Sequence, residues 1–476
     1  MLLHIVKKEV FSHITSLRFL SMLVLAVVLM AGSGFVFVSE YSGRLEGYRA
    51  NVNRTLERMR RACKRLGILV NNTWPLYRAP RKLGFCASKG EDELPDRAVI
   101  RAFRVRDLSK EPEPTGIVGR VVRLDWAFVV GAILSLAAGL LSYDSISGER
   151  ERGTLSLALS NPLPRHTVLL AKYIGAMVAL MVPVIIGVSL CLLIVNSSIP
   201  LTGGDWVRVG FVVLCSLMYL SVFVLLGMFL SVREESTTSV VLFLFFWVAL
   251  AIVIPNLEGL VAEKIKPIPS PAQMASMTKA RIEPLDRKLS KYQSVIWKYI
   301  DKLKDWEKVE PLAEAVRGYV PVSIRKVGIL DEMFAQYFRY MVAQVEAVRT
   351  ISRISPTSVY RYACESLAGT GLPHLKEFFR QVRRYREEFL KFILDQDMAD
   401  EESKHMVDPY GSQELFSSKP VNFEDIPKFT DREPSPSEAL RSALWDVALL
   451  AIFNVVLFML TFASFLRSDV TPGGGR

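Results

Sequence analysis

The chain has 476 residues, half of them apolar, and a formal net charge of +11. A soluble protein of this length would spread its apolar residues over several domain cores. Here they gather in runs of about 17 to 28, each long enough to cross a hydrocarbon layer of roughly 30 Å, which excludes an ordinary soluble protein.

Met1 to Arg18 does not read as a cleavable leader. The apolar run that follows, Phe19 to Phe37, is too long for a signal h-region, and no A-x-A site follows it. Two readings of residues 1–18 stand. One is a helix in the cytosolic interface, with Leu2, Leu3, Val6, Val10, Phe11, Ile14 and Leu17 at helical spacing. The other is a simple continuation of the first span, residues 19–38. Residues 41–124 follow as a polar region with 19 Lys/Arg and 9 Asp/Glu, a net of +10, so it carries nearly all of the excess charge. Arg44 to Leu66 has strong helix formers and no proline, and the text beyond Pro75 is loop-like. Such a basic region either attracts anionic lipid headgroups, glycans or an acidic partner, or is a solvated charged surface.

The second span is 126–143 and the third 168–195, with a polar hairpin at 144–167 between them. A short link at 196–205 leads to the fourth span, 209–232. A tight turn at 233–237 leads to the fifth, 238–254, ended by Pro255-Asn256. Residues 258–440 form a second large polar region, balanced at 28 Lys/Arg and 28 Asp/Glu. It opens on the stiff connector Lys266-Pro267-Ile268-Pro269-Ser270-Pro271. Leu285 to Trp306, Met333 to Ile354 and Leu375 to Met398 then repeat apolar residues at helical period, which predicts a helical domain or bundled stalk. Met406 to Pro436 reads as irregular. The sixth span is 442–466, and 467–476 is a tail. The expected fold is an all-α membrane protein. It has six transmembrane helices, a large, mainly helical extracytoplasmic domain between spans 5 and 6, and a smaller basic one between spans 1 and 2.

Basic residues in short loops favour the cytosolic side. Lys7, Lys8 and Arg18 put the N-terminus inside, and Arg150, Arg152, Arg165, Arg233 and Arg467 fall inside after each even span. Both termini are then cytosolic and both large polar regions external. The three Asn-x-Ser/Thr sequons, at Asn53, Asn71 and Asn196, fall on the outer side, as glycosylation would need. Of the five cysteines, Cys63 and Cys86 also lie outside, where a disulfide between them is possible chemistry; their separation in space stays open. Cys191 and Cys215 lie in apolar runs. No CxxC and no Cys/His cluster has zinc-ligand spacing, so no metal site is expected.

The hairpin and its flanks read DSISGERERGTLSLALSNPLPRHTVLLAK, from Asp144 to Lys172. Its centre alternates charge through Glu149, Arg150, Glu151 and Arg152 and reaches Gly153-Thr154. Pro162 and Pro164 then stop a helix, and Arg165 and Lys172 bracket the start of the third span. An acidic residue, GERERGT, a serine with Pro-x-x-R, and a lysine opening the next span resemble the signature of ABC-2 type permeases. The long polar regions resemble the subset of that family with large external domains, including permeases of the nitrous-oxide-reductase maturation type. The resemblance implies that Asp144, Glu149, Arg150, Glu151, Arg152, Gly153, Thr154, Pro162, Arg165 and Lys172 couple the spans to a separate cytosolic ATPase subunit. It implies that ATP and Mg²⁺ bind that subunit, that two permease copies pair in the plasma membrane (the inner membrane of a two-membrane bacterium), and that the direction leans towards export, or towards extraction of a substrate from the membrane. Within the hairpin, Glu149 and Glu151 can pair with basic groups on a partner, and Gly153 permits close backbone approach.

The chain contains no GxxxxGK[ST], no HExxH and no GxSxG, so no ATPase or hydrolase chemistry is expected of it. Membrane lipids are expected partners and nucleic acid is not. Ionisable residues are scarce inside the spans, which speaks against a proton-coupled pump and for energy from a partner. Two rivals from other classes remain: a membrane-anchored receptor or adhesion protein acting through its external domains, and an intramembrane or external hydrolase.

Overall fold

The computed structural model describes residues 2–110, 124–160, 164–410 and 415–468. Helix α1 (Leu2–Ile14) stands apart from α2 (Leu17–Ala62). The chain turns at Thr15-Ser16, and the Ser16 hydroxyl caps α2 by accepting the Phe19 N–H at 3.2 Å. α2 runs unbroken for 46 residues, roughly 70 Å at 1.5 Å per residue. It merges the first span with the helix expected from Arg44. No proline interrupts it, and Gly43 and Gly47 each cost only about 1 kcal/mol.

Beyond α2 come α3 (Leu66–Asn71), α4 (Lys89–Glu93) and a three-stranded antiparallel sheet, which corrects the all-α expectation. Strand β1 (Trp74–Tyr77) pairs with β2 (Arg97–Arg101), Trp74 opposite Ile100. β2 pairs with β3 (Arg104–Ser109), with a bulge at Val99/Ile100. These strands are short and carry arginines on their open face, so the alternation that marks a strand was hidden in a charged, proline-bearing stretch.

The second candidate span joins α5 (Trp126–Phe128), a π-helical segment (Val129–Leu134) and α6 (Ser135–Ser142). The hairpin contributes α7 (Ser147–Glu151) and α8 (Thr154–Ser160). α9 (Arg165–Ser198) and α10 (Gly203–Arg233) are the third and fourth spans; a Thr202/Asp205 capping box starts α10. α11 (Ser236–Trp247), a second π-helical segment (Val248–Val253) and α12 (Ile254–Ile265) run on as one helix past Pro255. The expected stop there fails because Pro255 sits in the first turn after the π segment, where its missing N–H breaks no α-helical bond.

The second polar region folds as α13 (Pro271–Lys298), a 3₁₀ stretch (Ile300–Lys308), α14 (Glu310–Ser352), α15 (Pro356–Ala368) and α16 (Leu372–Met398). An irregular segment then leads to α17 (Pro436–Arg467), the sixth span. Among the described residues the protein is mostly helical, and six helices are long and apolar enough to cross a membrane.

Two hydrophobic cores organise the described residues. The first joins the spans, and two pieces of the polar regions enter it. One is Leu83 to Ala87, where Phe85 packs edge-on against Trp126 at 5.2 Å; the other is α15, through Val359, Tyr360, Ala363, Cys364 and Leu367. The second core joins Met59 to Val105 with Leu289 to Ile426, so the two polar regions share one interior. Val105 N–H donates to Asp331 at 2.8 Å, and Val421 N–H to the Cys63 carbonyl at 2.8 Å, across that junction. Within the first core, small residues bring the spans together. A Cβ on Gly139 would fall 1.7 Å from the Phe243 ring, and one on Gly227 2.3 Å from the Ser142 hydroxyl.

Candidate functional site

The hairpin is two short helices with Gly153 at the corner. Gly153 has φ +72°, and a Cβ there would meet nothing within 4 Å, so backbone handedness rather than space favours glycine. α7 has only five residues and cannot hold itself; neighbouring spans hold it. The buried Ser231 hydroxyl, near the end of α10, accepts the N–H groups of Ile146 and Ser147, each at 3.0 Å. Ser236 donates its hydroxyl to that of Ser147 at 3.0 Å. Arg150 donates to the carbonyls of Val232 (3.1 Å) and Glu234 (2.8 Å), which α10 leaves open at its C-terminus. Glu151 accepts the Ser236 N–H at 2.8 Å, at the start of α11. One short helix thus caps the end of the fourth span and the beginning of the fifth.

Three further ties spread from the hairpin. Lys172 of α9, 4% exposed, lies 2.9 Å from Glu149 and 3.3 Å from Glu9 and so joins α7, α9 and α1. Gly175 makes room for that approach, since a Cβ on it would come within 2.7 Å of Glu9 Cβ. Burial holds the nearby His13 imidazole below its ordinary pKa, with Glu9 pulling it upward and Lys172 downward. Asp144 pairs with Arg18 at 2.9 Å, and the Arg18 guanidinium lies 5.0 Å over the Tyr143 ring. Arg165 donates to the carbonyls of Phe465 (3.4 Å), Leu466 (3.0 Å) and Ser468 (3.2 Å) at the end of α17.

From the sequence, Glu149 and Glu151 can pair with basic groups on a partner. In the structure both carboxylates are satisfied inside the chain, because Lys172 and the first amide of α11 lie within reach. Arg152 donates to the Gly148 carbonyl at 2.9 Å, and the Thr154 hydroxyl to that of Glu149 at 3.2 Å; both side chains face outward. Leu155 is buried, whereas Leu157 is 71% exposed. Pro162 lies outside the described residues.

Sequence reasoning missed Glu9, Ser231 and Ser236. Glu9 carried a signal: it is the sole acidic residue of α1 and lies on the same face as Val6, Val10 and His13. The serines carried none. The structure does not bring Cys63 and Cys86 together: both are free, Cys63 in the second core and Cys86 in the first. Asn53 and Asn196 are exposed and Asn71 is half-buried.

The sequence profile described as ABC-2 family transporter protein matches residues 3–470. The chain is also 47% identical, over 55 residues, to the probable ABC transporter permease protein NosY of Stutzerimonas stutzeri. That stretch covers 12% of this chain and 20% of the relative, so the chain aligns with about a fifth of that protein's length.

Proposed function

The chain belongs to the ABC-2 family of transporter proteins, and from that membership we propose that a separate ATPase subunit drives it through the 144–167 hairpin. The family makes it a multi-pass membrane subunit of an ABC transporter. In our reading the hairpin and both termini face the cytosol, ATP and Mg²⁺ are held by the ATPase, two copies of the chain pair, and transport is outward across the plasma membrane. The combined polar unit of residues 41–124 and 258–440 then lies outside.

The carrying observation is the way α7 is fastened. It is bonded to the end of α10 and the start of α11 through Arg150, Ser231 and Glu151, and to α9 and α1 through Glu149 and Lys172. A push on the hairpin therefore reaches four elements at once. The contact face for the ATPase is the outer side of the hairpin, where Arg152 after α7 and Thr154 and Leu157 of α8 are exposed. Apolar anchors at the centre of an interface contribute up to about 2 kcal/mol or more each, and each 1.4 kcal/mol is tenfold in affinity.

Leu157→Asp tests this reading. The variant should fold with an unchanged melting temperature, and the ATPase should co-purify with it at least about tenfold less. Full retention of the ATPase and of its ATP hydrolysis would sink the hairpin as the docking surface.

A further inference from the structure

We propose that α15 is a latch: its first turn holds both π-helical segments of the bundle, so that the second and fifth spans change register only when α15 moves. This rests on the transporter reading above and concerns the opposite end of the bundle from the hairpin.

A π-helical turn shifts the hydrogen-bond ladder by one residue and leaves a carbonyl out of step. In the second span the Ser135 N–H goes to the carbonyls of Val130 and Ala132 and passes over Gly131. In the fifth, the Ile254 N–H goes to Ala249 and passes over Leu250. The next residue able to serve Leu250 is Pro255, which has no N–H. In an apolar bundle neither carbonyl can be left alone. Gly131 is served by the hydroxyls of Tyr219 (2.6 Å) and Ser135 (2.7 Å), and Leu250 by the hydroxyl of Ser355.

Both sets of bonds lead to the start of α15. Ser355 is its N-cap and donates directly to Leu250. Thr357, in its first turn, bonds the Tyr219 hydroxyl at 2.8 Å. Trp247 of the fifth span donates to Ser135 of the second at 2.9 Å and ties the two segments together. α15 is in turn gripped from the polar unit and the spans. Ser358 and Arg361 bond Glu258 at 3.0 and 2.6 Å, and Arg353, at the end of α14, bonds Asp446 of α17 at 2.6 Å. The guanidinium groups of Arg349, Arg353 and Arg361 all lie over the Tyr362 ring, at 4.2, 5.7 and 5.1 Å.

Withdrawing Ser355 removes the partner of the skipped Leu250 carbonyl, and withdrawing Thr357 frees the Tyr219 hydroxyl that, with Ser135, serves Gly131. In the fifth span an α-helical register, in which residue 254 serves Leu250, then becomes the better-bonded state, and the second span, tied to it through Trp247 and Ser135, follows into the register in which residue 135 serves Gly131. The change advances each span by one residue, about 100° of rotation. The second span continues into α7 and the fifth begins at Ser236, which α7 holds, so both rotations are felt at the hairpin.

The test is the pair Gly131→Cys and Thr357→Cys in the full chain, purified with its ATPase in lipid nanodiscs. A Cβ at position 131 would lie 3.8 Å from Thr357 Cγ2, a place that the sulfur of Thr357→Cys can take, so the two thiols meet across this contact. The pair should cross-link on oxidation. ATP hydrolysis should then fall at least tenfold and return on reduction, while each single variant is indifferent to both treatments. Failure to cross-link, or a cross-linked complex that hydrolyses ATP at the reduced rate, overturns the latch. A reduced pair that hydrolyses ATP leaves the transporter reading standing in either case, and failure of the unmodified chain to recruit an ATPase is the separate failure of that reading. Ser355→Ala gives a second measure, amide hydrogen exchange. Exchange at 248–253 should quicken at least tenfold; an unchanged rate counts against the latch.

Discussion

At the hairpin, long cationic side chains work beside the hydroxyls of Ser231 and Ser236: Arg150 on two carbonyls of α10 and its turn, Arg165 on three at the end of α17, Lys172 on two carboxylates. At the far end, the skipped carbonyls are held by short hydroxyls and rigid rings, with Ser355 on Leu250, Tyr219 on Gly131 and Tyr219 stacked on Tyr360 at 4.6 Å, while Arg353 and Arg361 grip α15 from its polar side. A flexible stem tolerates displacement of its partner by following it, whereas a hydroxyl bonded from a fixed helix does not. On the proposed latch, the hairpin end stays attached while it moves and the α15 end holds one register until it is released.

Lys172→Ala should break the first half of this comparison most severely. It leaves Glu9 and Glu149 facing each other in a poorly solvated site, a loss of about 3 kcal/mol. The melting temperature should fall and α1 should become open to limited proteolysis, while cleavage near α15 stays as in the wild type. If α1 stays protected, the lysine is not what holds it.

The polar unit offers a pH test whose direction His13 at the hairpin shares, so the His374 variant is what separates the two ends. Burial, reinforced by the guanidinium groups of Arg81, Arg78 and Arg208, pushes His374 down to about 2. A histidine held below its unfolded value near 6.5 binds no proton in the native state where the unfolded chain does. Stability is therefore full above pH 6.5 and falls as the pH drops from there towards 2, by about 2 kcal/mol at pH 5. His374→Gln should flatten that slope. Thermal melts of both proteins between pH 5 and 7.5 would show it, and parallel curves would remove His374 as the cause.

Gly153→Ala sharpens the comparison at smaller scale. The left-handed corner then costs about 1 kcal/mol, with no clash to add to it. The variant should loosen the hairpin, seen as faster amide exchange at 147–157, with no change at 356–368. Equal change at both sites would mean that the two ends are not separately fastened.

The long apolar runs, Phe19 to Phe37 among them, were legible because a span is a local property, written in composition over some twenty residues. The hairpin was legible for the same reason, through GERERGT and its flanking prolines. Helix α15 was not. Its 13 residues are too few for a span and carry Arg361 and Glu365, so nothing local marks it as part of the bundle core. The small sheet was hidden among arginines, and the π segments by apolar residues that suit either register.

What the sequence determined by itself is the number of candidate spans, the position of the hairpin and the family that the chain belongs to. Each rests on residues that are neighbours in the chain. Only the tertiary structure decided that residues 59–105 and 289–426 share one core, that Lys172 bridges Glu9 and Glu149, and that Ser355 serves an orphaned carbonyl 105 residues away. Such pairings depend on which surfaces meet after the helices have formed, and neither hydrophobic period nor charge pattern records the address of a distant partner.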